Sequence, residues 1–176
     1  MDTRFSQIKL KKIQIFNGSQ LKYLAFASML IDHVNNALIT PYLNGQGFLL
    51  YLSNLFSILG RIAFPLFVFL LVEGFFKTSN RMKYLIMLLI FGVISEVPFD
   101  LFTSKTCFSP YWNNIMFTLA LCLATIWIID ILKYKISNQY PWYALSILIV
   151  AFFGFLSMEL SLDYDYHAIV VAYLFY

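Results

Sequence analysis

Charge is scarce in this chain. Asp, Glu, Lys and Arg make up 12% of its 176 residues, against 61% hydrophobic residues, and the mean hydropathy is +0.76. A soluble domain carries about twice that share of charge. A 20.5 kDa globule also has too much surface for its volume to hide so many apolar side chains. A water-soluble fold is thereby excluded, and so is a disordered chain, which needs the opposite composition. The net charge of +3 is small, and the basic residues fall in short separate clusters, which speaks against a nucleic-acid partner. Cysteines number two, Cys107 in a polar connection and Cys122 inside an apolar run. The helix between them sets them at different depths, so both are expected to be free thiols that pack. Two histidines far apart in sequence offer no ligand-spaced metal cluster. No repeat, low-complexity tract or linker is visible, and 1–176 is expected to be a single integral-membrane domain.

What the chain does have is long apolar runs, with room for roughly five or six helices of membrane-spanning length. The segment 1–20 is basic and insufficiently apolar to insert deeply; a short surface helix suits it. Spans are expected at about 21–39, 58–76, 82–101, 114–132 and 141–158. The stretch 47–57 reads as an interfacial or re-entrant piece ahead of the second span, and Pro65 should kink that span. Ser79 or Asn80 suits the N-cap of the third. The last run, 167–176, would rise only about 15 Å as a helix, so a sixth crossing cut short by the end of the sequence is expected. The fold class is therefore an all-α polytopic helix bundle. With the N-terminus in the cytoplasm, Arg4, Lys9, Lys11, Lys12, Lys22, Lys77, Arg81, Lys83, Lys133 and Lys135 all lie inside. Lys105 alone lies outside and Arg61 falls within a span. That bias sets the orientation.

A charge near the bilayer centre costs about 2.5–3.5 kcal/mol on insertion scales. Chains keep such groups when they pair, line a wet cavity or do chemistry. The topology delivers Asp32, His33, Arg61, Glu96, Asp100, Asn113 and Asn114 to one outer layer, with Glu159, Asp163, Asp165 and His167 just beyond. Glu73 and Asp130 lie towards the cytoplasm and suit pairing with the lysines nearby. Arg61 with Asp32 or Glu96 can be read as a buried ion pair that fixes helix register. His33 is different: leucine would serve packing better, and histidine takes and returns a proton near neutral pH. Neighbouring helical residues point about 100° apart. Glu96, Asp100 or an asparagine of another span therefore suits His33 better than Asp32 does.

The strings LKYLAFASMLIDHV, GRIAFPLFVFLLVEGFFKTSNRMKYL, LLIFGVISEVPFDLF and NNIMFTLALCLATIWIID carry several polar-in-apolar motifs in a fixed order. On them the chain resembles the TraX family of bacterial membrane proteins from Leu21 to Asp130, and only weakly thereafter. The family takes its name from a conjugative-plasmid protein linked to N-terminal acetylation of pilin. It is similar in kind to multi-span acyltransferases that carry a histidine in an early span and an arginine nearby, here matched by His33 and Arg61. The resemblance implies a multi-pass protein of the bacterial cytoplasmic membrane that transfers acetyl from acetyl-CoA to an amine or hydroxyl at the outer face.

In that scheme Lys77, Arg81 and Lys83, with Glu73 beside them, meet the donor at the cytoplasmic mouth. His33 is general base or transient acyl carrier, Arg61 or Asn114 faces the oxyanion, Glu96 orients His33, and Asp32 and Asp100 complete the layer. The acceptor stays open among pilin, a glycan, a cell-wall polymer and a lipid, as does the oligomeric state. Two other readings stand beside it. One is a proton- or ion-coupled transporter using Asp32, His33, Glu96 and Glu73 as a relay; the other is a non-catalytic membrane subunit of a secretion or conjugation machine.

Overall fold

The computed structural model describes residues 16–43, 47–109 and 112–176. Most of the basic N-terminal segment, 1–15, lies outside them. Among the described residues seven α-helices follow one another: α1 Gly18–Val34, α2 Phe48–Arg61, α3 Ala63–Lys77, α4 Arg81–Thr103, α5 Ile115–Lys135, α6 Gln139–Glu159 and α7 Asp165–Phe175. The described residues form no strand, only an isolated bridge between Asn113 and Leu162. The chain divides into two compact units, 1–70 and 71–176.

Asparagines start most of these helices. Asn80, Asn114 and Asn138 each cap a first turn through the side-chain oxygen, which satisfies a backbone N–H that the helix itself cannot. Asn80 is the cap expected for the third span. Asn17 does more: it accepts from the Gln20 N–H at 2.8 Å while its own N–H donates to the Gln20 side chain at 2.9 Å. This capping box starts α1 three residues ahead of the expected Leu21. The stretch 47–57 is not a separate re-entrant piece. It is the first half of helix running Phe48–Lys77, 30 residues long, with a single interruption at Ile62. Pro65 explains the interruption, since it has no N–H for the Arg61 carbonyl four residues back. Polar residues within it are turned inward: Ser53 is buried, and Ser57 accepts a hydrogen bond from Asn35 in the π turn that follows α1.

In the first unit α2 packs on α1, and Phe26 meets Phe67 edge to face at 5.4 Å. In the second unit α5 is central. Half of its apolar stretch is buried, against 11% for α4 and 17% for α6, and Leu123, Ile126 and Ile129 are wholly covered. The short helix α7 packs on α5 and α6 through Ala168, Ile169 and Ala172, all fully buried. Gly92 of α4 lies close enough to the Phe117 ring that a Cβ there would stand 3.1 Å from it. Cys107 is exposed and Cys122 buried, both as free thiols.

Among the described residues four helices are long and apolar enough to cross a membrane: Phe48–Lys77, Arg81–Thr103, Ile115–Lys135 and Gln139–Glu159. The outer face of α4 shows Ile90, Phe91, Val93, Ile94, Val97 and Leu101 all between 47% and 65% exposed. Contiguous apolar surface on that scale belongs in lipid or against another protein, not in water.

Candidate functional site

The first unit places Asp32 and His33 in the last turn of α1, where the helix widens into a π turn at Asn35–Ile39. Such turns arise where side chains compete for the backbone and recur at functional sites. Asn36 donates to Asp32 Oδ2 at 3.1 Å, and Asn35 donates to Ser57 Oγ at 2.9 Å. Asn35 is 1% exposed, and its Oδ1 is buried without a partner. Ser28 donates to the carbonyls of Leu59 and Gly60, and its small side chain lets the helices approach, the usual device between membrane helices.

His33 Nδ1 lies 2.8 Å from the Met29 carbonyl. A carbonyl only accepts, so Nδ1 carries the hydrogen and the basic lone pair of the neutral ring sits on Nε2.

The ion pair considered between Asp32 and Arg61 does not form. Gly60 is the residue turned towards α1: a Cβ there would stand 2.5 Å from Asp32 Cβ and 2.6 Å from its Oδ1. Arg61, one residue further round the helix, is exposed. The ion pairs among the described residues are Lys77–Glu73 and Arg81–Asp130.

The second unit gathers Glu96, Asp100 and Asn114. Asn114 caps α5 through Oδ1, and its Nδ2 donates to the Gly92 carbonyl at 2.8 Å and to Glu96 Oε2. Its backbone N–H donates to the same carboxylate oxygen at 3.3 Å. Asp100, fully buried, accepts from the Ser109 N–H at 2.8 Å. One oxygen of each acid is thus held, while Glu96 Oε1 and Asp100 Oδ1 are buried with no partner. Asn113 is a structural tie, donating to the Leu160 carbonyl at 2.7 Å, and Thr118 donates to the Asp163 carbonyl at 2.9 Å. The turn they fasten is strained, with Ser161, Tyr164 and Asp165 all at positive φ. His167 stacks on Tyr166 at 4.1 Å.

At the other end of α5 stands Asp130. Its partner is not a nearby lysine but Arg81, at 2.6 Å, while Tyr176 donates to its second oxygen at 2.9 Å. Arg81 also lies 4.1 Å over the Phe75 ring. Burial, and then Asp130 itself, hold the Tyr176 hydroxyl well above the usual tyrosine range. Glu73 pairs with Lys77 at 2.5 Å, as its position in sequence suggests. Of the residues considered for donor phosphates, Arg81 is therefore engaged, Lys77 is shared with Glu73, and Lys83 is exposed. Among the described residues no three His, Cys, Asp or Glu side chains gather closely enough to hold a metal ion.

Sequence reasoning missed Ser109, Ser28, Gly60, the bare Asn35 oxygen and the strained 161–165 turn. A serine and a glycine on facing helix surfaces were a usable signal for the second and third. The others depend on contacts distant in sequence.

Apolar helices of spanning length with polar clusters sunk among them define an all-α membrane protein. The TraX protein family profile matches residues 17–176, and the chain belongs to that family. It is similar to the "Probable fimbrial assembly protein FimC, serogroup H1" of Dichelobacter nodosus, 36% identical over 126 residues that cover 64% of this chain and 46% of the relative. The chain thus spans about half the length of that relative. No solved structure matches it.

Proposed function

We propose that this TraX family protein is a multi-pass acyltransferase of the bacterial cytoplasmic membrane, N-terminus inside, moving acetyl from acetyl-CoA to an acceptor amine or hydroxyl outside. The observation that carries the reading is the state of His33: its Nδ1 hydrogen is committed to the Met29 carbonyl, which leaves Nε2 as the proton-accepting nitrogen. In the reaction Nε2 takes the acceptor's N–H or O–H proton as that atom attacks the thioester carbonyl. The C–S bond then breaks, and the proton passes to the departing thiolate. Arg61, which takes part in neither ion pair, supplies positive charge for the developing oxyanion. Lys83 and Lys77 supply cations for the donor's phosphates.

Similarity to a probable fimbrial assembly protein supports an acceptor within a surface-fibre system and equally favours a non-catalytic assembly subunit. Full-length protein in proteoliposomes, given labelled acetyl-CoA and a pilin-type acceptor, separates the two. Transfer that His33→Ala abolishes supports the enzyme. Absence of both acetyl-CoA binding and transfer in the parent, with fibre assembly intact in a His33→Ala strain, sinks it in favour of the subunit.

A further inference from the structure

The second unit carries a groove of about 670 Å³ where the end of α5, the start of α6 and the end of α7 meet. Lys133, Trp142, Tyr143, Tyr173, Leu174 and Tyr176 are among its lining residues. The Lys133 ammonium lies 5.5 Å from the Trp142 ring centre and 5.6 Å from that of Tyr176, and it belongs to neither ion pair of the described residues. The aromatic faces hold the cation in place without neutralising it. Ser137 and Gln139 give the lining polar groups, while Ile136 and Leu174 give it apolar surface. The groove sits at the ends of two helices of spanning length, beside Lys133 and Lys135, on the lysine-rich side that the positive-inside bias assigns to the cytoplasm.

We infer that this groove is a headgroup site for one anionic phospholipid, with the phosphate on Lys133 and the first carbons of the acyl chains along Leu174 and Ile136. A basic recess between membrane helices at the cytoplasmic level has the charge and depth for such a ligand, and the tryptophan and tyrosines match the interfacial layer in which headgroups lie. A zwitterionic lipid brings its own cation to Lys133 and fits less well. The inference concerns the groove alone and holds whether or not the chain transfers acetyl groups.

The test is native mass spectrometry of the full-length protein released from detergent with phosphatidylglycerol or phosphatidylcholine of matched acyl chains. One phosphatidylglycerol retained per chain is expected, at ten times or more the level of phosphatidylcholine. Lys133→Ala should lower that retention at least tenfold and Lys133→Arg should restore it. Lys135→Ala, a neighbouring charge outside the groove lining, should leave it unchanged. Should Lys133→Ala fail to fold, Ser137→Trp blocks the groove by bulk with the lysine in place and should lower retention likewise. Equal retention of the two lipids, or retention indifferent to both groove variants, overturns the site. So does displacement of the lipid by acetyl-CoA or by inorganic phosphate, which would assign the groove to a soluble phosphate ester.

Discussion

The two ends of α5 treat their buried carboxylates in opposite ways. At the C-terminal end Asp130 has a partner for each oxygen, the Arg81 guanidinium and the Tyr176 hydroxyl. At the N-terminal end Glu96 and Asp100 each have one oxygen held by backbone or amide donors and one left bare. A satisfied acid ties helices together and resists change. A half-satisfied one is costly to bury and leaves an acceptor open to another donor. The π turn beside His33 belongs with the second kind, because Asn35 too keeps a buried oxygen without a partner. The fully paired carboxylate and the half-paired ones thus lie in different polar clusters.

The sharpest break in that comparison is removal of Arg81. It strands the Asp130 charge in a nearly buried position, and Arg81→Ala should destabilise the protein by about 3 kcal/mol, read as a lowered thermal midpoint in detergent. Paired isosteric changes sharpen the contrast. Asp130→Asn should cost about 2 kcal/mol, discounted because Arg81 is itself 31% exposed. Asp100→Asn should lie within about 1 kcal/mol of the parent, since one of its oxygens has no bond to lose. Equal costs for the two would erase the distinction. Gly60→Ala probes the close approach at Asp32, where a Cβ would meet side-chain atoms at 2.5 Å. It should cost about 1–2 kcal/mol by overpacking, with displacement of the His33 turn visible as slower transfer.

The smallest effect is alkaline. The folded state holds the Tyr176 proton more tightly than the unfolded chain does. Stability therefore falls as pH rises above the ordinary tyrosine range, about pH 10. Thermal midpoints measured on either side of that pH should drop further for the parent than for Tyr176→Phe.

Much of this architecture could be read before any coordinates. Apolar length marked the four long helices, and Asn80 was visible as a cap. The first expected span, 21–39, is instead a 17-residue helix followed by a π turn and is not among the four of spanning length. The grouping of Glu96, Asp100 and Asn114 followed from their order along two antiparallel spans. What stayed hidden was partner choice. Asp130 lies three residues from Lys133, yet it pairs with Arg81 across 49 positions, because packing, not proximity in sequence, brings those side chains together. The stretch 47–57 reads as a separate piece because the apolar run to Phe76 is too long for one perpendicular crossing, whereas the chain keeps it in one 30-residue helix interrupted only at Ile62. The tautomer of His33 and the strain at Ser161, Tyr164 and Asp165 are properties of local backbone geometry, which composition does not encode.

The central claim is that acyl chemistry resides in the turn carrying His33 while Asp130 only fastens. The direct measurement is the initial rate of labelled acetyl transfer by full-length protein in proteoliposomes, compared at equal amounts of folded protein for His33→Gln and Asp130→Asn. His33→Gln should be slower than the parent by about a hundredfold or more, with Asp130→Asn close to the parent. Equal rates for parent and His33→Gln would contradict the claim.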